Sequence, residues 1–359
     1  MNNKIKHNKE IVKYGKSSQA LIAIKEDFFK NNDEMLSKGK TINKFYSQQS
    51  VRSKCKNCDY DLKEVSFSKL NVNYTICKNC GHLNGMHEDT DLFCKKIYTD
   101  NKGIDYSEVY DSKGVNEYNR RVRDVYIPKA QFLFDSLIEF DDMPQKSKYA
   151  DFGAGSGYFV SALRQIGLDD VIGYEPSEQQ VLHGNKLIGK DLLQQTSLED
   201  TIVKIKAIDS DVLSMIGVLE HVQNPREILT AISQNKNIKY LYISVPLFSV
   251  TVFFEMIFPN IMNRQLSGAH THLYTESSLK YMAKEFDLDI VASWWFGTDM
   301  VDLFRSVAVS LEKNSGTNKM ETAWKELFSP MIDPLQLSLD KKHMSSEVHM
   351  IFKVNSNYV

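Results

Sequence analysis

Apolar and polar positions fall into their clearest blocks between 149 and 177, where the chain reads YADFGAGSGYFVSALRQIGLDDVIGYEPS. A short apolar run ends in an acid, Asp151, and glycines follow at alternate positions, Gly153, Gly155 and Gly157. An apolar stripe at helical spacing comes next, then a second apolar run that ends in Glu175. That order predicts strand, tight turn, helix and strand, one βαβ unit. Glycine suits the turn because it accepts positive φ and lets a ligand approach the backbone closely.

The same patterns continue downstream. Strands are expected at about 192–195, 212–216, 240–245, 289–295 and 347–354. Helices are expected at 177–187 with Ser177 as N-cap, after Pro225, and at 321–328, while an amphipathic helix over 126–140 leads into the glycine turn. Strands alternating with helices predict an α/β, doubly wound parallel sheet. Ahead of it, an amphipathic helix is expected over about 17–38 and short strands at 65–67 and 72–76. The apolar part of 246–279 reads equally well as a helix lining a pocket and as ordinary core.

Composition narrows the classes. At 359 residues and 42% hydrophobic content the chain has room for two domains with a proper core. A formal charge of −2 argues against a dedicated nucleic-acid binder. The Lys-rich first fifty residues read as a solvated or flexible segment. The most apolar stretch, 246–262, is broken by Glu255 and Pro259 and is too short to span a bilayer, and no signal-peptide pattern opens the chain. A soluble, cytoplasmic protein is expected.

The cysteines change the picture of the N-terminal part. Cys55 and Cys58 form one C-x2-C pair, eighteen residues follow, and Cys77 and Cys80 form a second, with Cys94 left over as a buried thiol. Two such pairs match the spacing of a four-thiolate zinc site, in which two tight turns each present two ligands. A redox dithiol and disulfides are the alternatives, and a reducing compartment favours Zn2+ in a structural role. The chain then divides into 1–50, a helical or flexible segment; 51–95, the zinc-ribbon module; 96–145, a Tyr/Arg-rich helical connector; and 146–359, the sheet domain with a 246–279 insert.

Glu175, at the carboxyl end of its strand, is placed to accept both hydroxyls of a ribose. Nicotinamide and flavin enzymes use a similar turn, but their third glycine position is Tyr158 here. Taken with GYEPS and with SMIGVLEHVQNP after the 212–216 strand, the DFGAGSG turn resembles that of class I S-adenosylmethionine-dependent methyltransferases. The resemblance covers roughly 118–310, and HLYTESSL at 272–279 resembles the family's entry to its next helix. It implies a seven-stranded Rossmann-like sheet. It also implies donor contacts from Asp151, Gly153, Ala154, Gly155, Gly157, Tyr158, Glu175 and Pro176, from Leu198 beside the adenine, and from Gly217. In the connector, Tyr118 is a further candidate, and Arg120 or Arg123 would hold the donor carboxylate bidentately unless they are surface arginines.

Methyl transfer from a sulfonium is a displacement in which the protein mainly positions two reactants, and a hydroxyl acceptor gains from a histidine base. His221 is the first candidate, with Glu220 to orient it; His270 and His272, in the insert expected to cover the acceptor, are the others. A cysteine module, a Tyr-rich connector and this core together resemble bacterial enzymes that methylate sugars, in deoxysugar and surface-polysaccharide pathways. The sugar C-methyltransferases carry a large further C-terminal domain, for which this sequence leaves no room, so O-methylation of a sugar or sugar nucleotide is the first expectation. A zinc-ribbon nucleic-acid methyltransferase and a non-catalytic binding protein remain as other classes, and association into a homo-oligomer stays open. An Asn/Asp-Pro-Pro-aromatic motif is absent after 212–216, and the intact turn with its Glu-His pair favours catalysis.

Overall fold

Continuous apolar runs become the middle of a sheet. The computed structural model describes residues 10–19, 22, 30–98, 114–141 and 143–355. Its strands are β1 (Ile11–Tyr14), β2 (Phe67–Lys69), β3 (Val72–Ile76), β4 (Leu83–Gly85), β5 (Tyr149–Phe152) and β6 (Val171–Glu175). They continue as β7 (Leu193–Gln195), β8 (Val212–Ile216), β9 (Tyr240–Pro246), β10 (His272–Leu273), β11 (Leu288–Phe296) and β12 (Glu347–Val354).

The large sheet has the order β1-β11-β12-β9-β8-β5-β6-β7. Strands β5 to β9 pair in parallel, and β12 runs antiparallel to both β9 and β11. The order reverses beside β5, so the carboxyl ends of β5 and β8 open a crevice at a topological switch point. Leu133, Phe159 and Val160 pack on one face of the sheet, and Ile205, Ile228, Ile232 and Met282 on the other. This is an α/β, doubly wound Rossmann-like architecture, with one strand more than the seven expected.

That extra strand comes from the first fifty residues, expected to be helical or flexible. Ile11–Tyr14 pairs in parallel with β11, and Trp294 Nε1 donates to the Gly15 carbonyl at 2.8 Å. The described helix of this region is Asn32–Tyr46, later than the expected 17–38, part of which lies outside the described residues. Tyr106 and Tyr110 of the connector lie outside them too.

A second sheet, β10-β4-β3-β2, belongs to the cysteine module except for β10, which the 246–279 segment contributes. His272 and Leu273 pair with Asn84 and Leu83, and Val252, Leu266 and Leu273 of that segment pack with Ile42, Tyr46, Tyr74 and Phe93. The expected roof over a cavity is therefore a wedge between module and sheet domain. It ends at the helix Glu276–Glu285, which opens with a capping box between Thr275 and Ser278. Among the described residues no helix is long and apolar enough to cross a membrane.

Candidate active site

The glycine turn forms because its backbone sits where side chains are costly. Gly153, Gly155 and Gly157 have φ of 74°, 54° and 74°, and a Cβ on Gly153 would lie 2.6 Å from Val218 Cγ2. Glu175 ties the turn to β6: its Oε2 accepts from the Gly155 amide at 2.8 Å and its Oε1 from the Ser177 amide at 3.0 Å. A carboxylate accepts only, which is the chemistry a ribose hydroxyl needs. Asp151 is buried and accepts from Ser214 Oγ at 2.6 Å; burial pushes its carboxyl up to about 7.

Cavities flank the turn on two sides. One of about 420 Å³ is bounded by Gly155, Glu175, Pro176, Leu198, Gly217 and His221. The other, about 140 Å³, is lined by Asp151, Ala154, Tyr158 and Tyr126, and both share Gly153 and Gln180. A ligand lying across the turn would meet both, and an acceptor carboxylate beside a glycine turn with room on either side fits S-adenosylmethionine.

The connector is arranged differently from the expectation. Tyr118 lines neither cavity; its hydroxyl reaches the Ser156 and Gly157 carbonyls at 3.3 and 3.2 Å and its ring stacks on Tyr158. It braces the turn from behind. Arg120 is engaged bidentately by Glu117 at 2.9 Å, one helical turn away on the surface, and Arg123 by Asp124. Neither arginine lines the described cavities: Arg120, near the end of the helix Val115–Arg121, and Arg123, in the π-helical turn Val122–Tyr126 that follows, are each held by a neighbouring acid. Arg121, not singled out by the sequence, is the one whose guanidinium lies 5.2 Å over Tyr158.

His221 lines the larger cavity, on the loop after β8. Its Nδ1 is 3.1 Å from the Ala269 carbonyl and 3.1 Å from the Tyr98 hydroxyl. A carbonyl only accepts, so the network assigns the proton to Nδ1 and the lone pair to Nε2. Nε2 lies 3.9 Å from Glu220 Oε1. Burial drives both toward their neutral forms, His221 down to about 4 and Glu220 up to about 8, so the contact is not an ion pair at neutral pH. Among the described residues Glu220 Oε2 is buried with no hydrogen-bond partner. The His270 ring stands 5.0 Å from His221.

His272 is no base for an acceptor. It is 1% exposed; its Nδ1 is 2.7 Å from His82 Nε2 and its Nε2 is 3.1 Å from the Leu219 carbonyl. Both nitrogens are consumed inside the fold. Tyr98, Gln180, Gln223, Asn224 and Glu227 also line the larger cavity. Gln223 and Asn224 belong to the SMIGVLEHVQNP stretch, whereas nothing local marks Gln180, Glu227 or Tyr98, the last of which is brought there by the packing of the helix Asp91–Tyr98 against the His221 loop.

The four cysteine sulfurs converge at one point. Cys55 and Cys80 Sγ are 3.7 Å apart, Cys58 and Cys77 Sγ 3.5 Å, and all four lie within 4.8 Å of one another. A tetrahedral zinc with bonds of about 2.3 Å has sulfur edges of about 3.8 Å, so the set fits Zn2+ and excludes disulfides at these distances.

Residues 118–293 match the family model of a methyltransferase domain. No curated protein matches the chain significantly. Among solved structures, magnesium protoporphyrin IX methyltransferase of Synechocystis PCC 6803 with bound S-adenosylhomocysteine is 11% identical. It covers 68% of this chain and 88% of its own, at a TM-score of 0.40. An S-adenosylmethionine-dependent methyltransferase of Archaeoglobus fulgidus is 15% identical over 62% of this chain and 94% of its own, at a TM-score of 0.36.

Proposed function

We propose that this chain, an S-adenosylmethionine-dependent methyltransferase, methylates a hydroxyl of a sugar or sugar nucleotide with His221 as general base and a structural Zn2+ on the four cysteines. The observation that carries the reading is His221 itself. Its Nδ1 is tied to the Ala269 carbonyl, its Nε2 holds the lone pair, and its ring borders the same cavity as Gly155, Glu175 and Gly217. S-adenosylmethionine supplies the methyl group as a carbon bonded to a sulfonium. Glu175 would accept the ribose hydroxyls, Pro176 and Leu198 would flank the adenine, and Gly153 and Gly155 leave room for the backbone approach. The acceptor hydroxyl would give its proton to His221 Nε2 as its oxygen bonds to the methyl carbon and the carbon–sulfur bond breaks, the electron pair going to sulfur to leave the neutral thioether S-adenosylhomocysteine.

The polar wall of Tyr98, Gln223, Asn224 and Glu227 supports an acceptor rich in hydroxyls, which needs several donors and acceptors at once. Glu220 Oε1, an oxygen of a neutral carboxyl 3.9 Å away, would then face the imidazolium N–H that forms as an acceptor. His270, one ring away, stands second as a base. The division into a zinc module at 51–95 and a transferase domain from 146 belongs to the same reading. Incubating the protein with isotopically labelled donor and a panel of sugar nucleotides, followed by mass spectrometry, tests it. Labelled methyl on a sugar oxygen is the expected result; label on carbon or nitrogen, or on RNA alone, would displace it.

A further inference from the structure

The loop between β8 and the helix that starts at Pro225 carries Glu220 and His221, and it is gripped from outside on both sides of that pair. From the first cysteine knuckle comes Lys56, between Cys55 and Cys58. Its side chain is 1% exposed, its ammonium is paired with Asp89, and it donates to the Val222 carbonyl at 2.7 Å. From the second knuckle comes His82, two residues past Cys80. The Leu219 carbonyl can only accept, so His272 Nε2 donates to it at 3.1 Å; His272 Nδ1 in turn accepts from His82 Nε2 at 2.7 Å. Leu219 and Val222 flank Glu220 and His221 directly. Two outer contacts repeat the pattern: Gln223 Nε2 donates to the Asp89 carbonyl at 2.6 Å, and Arg226 Nη1 to the Asn57 carbonyl at 2.9 Å.

We propose that the cysteine module is the frame that positions the active-site loop. Lys56 and His82, each set by its own knuckle, fix the carbonyls of Val222 and Leu219 and thereby the direction of His221. They are positioning residues and touch no reactant. Metal in the cluster then orders this loop from the far side, beyond its effect on the module's own folding. A module that served only as a cap or a substrate platform would have no use for a buried lysine aimed at this loop, because a buried ammonium is costly unless its partners are specific. The importance of the frame for turnover rests on the role given above to His221; the contacts themselves do not.

Hydrogen exchange on the full-length, zinc-loaded protein, read by mass spectrometry without any acceptor, tests the frame. Lys56→Met should keep one zinc per chain and the protection of Tyr149–Phe152, while exchange across 219–223 rises tenfold or more. Should that variant not fold, Lys56→Met with Asp89→Asn removes the Lys–Asp pair while Arg52 keeps its contact with Glu88 at 3.1 Å, and it is read the same way. Unchanged exchange in 219–223, or equal acceleration in the loop and in β5, would overturn the proposal. No acceptor is needed, so an active His221→Ala enzyme would refute the base without altering this result.

Discussion

Replacing Glu175 with glutamine removes a charge and almost no volume, so it isolates what the carboxylate does. One carboxylate oxygen takes the Gly155 amide at 2.8 Å and the other the Ser177 amide at 3.0 Å. In Glu175→Gln one of these oxygens becomes an NH2 facing an N–H, and the other loses its charge. A hydrogen bond to a charged group contributes on the order of 1.5–3 kcal/mol. Losing one such bond to a ribose hydroxyl should weaken donor binding about ten- to a hundredfold. Because the same oxygens hold the turn when no donor is bound, the free protein should also melt at a lower temperature. Titration calorimetry with S-adenosylhomocysteine, beside a melting curve, measures both. A dissociation constant within twofold of the native value would show that Glu175 is only a strut of the turn.

Further perturbations separate the parts of the site. Gly155→Val forces a side chain onto φ of 54° with its Cβ 3.1 Å from Gln180 Oε1, and calorimetry should find donor binding abolished; retained binding would move the donor off this turn. Elemental analysis should find one zinc per chain, and Cys58→Ser should lower the melting temperature; thiols that titrate as disulfides would contradict this. The Glu220 carboxyl is raised from 4.5 to about 8 by burial, so its protonated form favours the fold and that contribution is lost as pH rises through 8. Glu220→Gln should therefore melt higher than the native protein at pH 9 but not at pH 5, and parallel melting curves would show that Glu220 is not held neutral.

The parts of the fold legible in the sequence are those whose physics is local. Val212–Ile216 and Tyr240–Pro246 are largely apolar, each interrupted by one serine, because both their faces are covered. The cysteine knuckles are equally local, since two residues between thiols suffice to fix a turn. By contrast β1 shows three exposed residues out of four, and it exists through its pairing with β11 and the ammonium of Lys13 3.9 Å over Trp294. No window of sequence contains that partner. The arginines show the same limit: the connector offers several, and only the direction of its helix leaves Arg120 with Glu117 and Arg121 over Tyr158. His221 and His272 are alike as letters, and the distinction came from what surrounds each nitrogen. Tyr98 had no signal of its own, because its place beside His221 depends on contacts 123 residues apart.

Methyl transfer by the His221 variant tests the central claim most directly. With an acceptor found by the sugar-nucleotide panel, turnover of the native protein, His221→Ala and His270→Ala is compared, with S-adenosylhomocysteine affinity as the control. His221→Ala should lose about 10²- to 10⁴-fold in turnover and keep donor affinity, with a smaller loss in His270→Ala. The native rate should fall only well below pH 6.5, because the imidazole is held down to about 4 and stays neutral above it. Native turnover in His221→Ala, or a large loss in His270→Ala alone, would contradict the account.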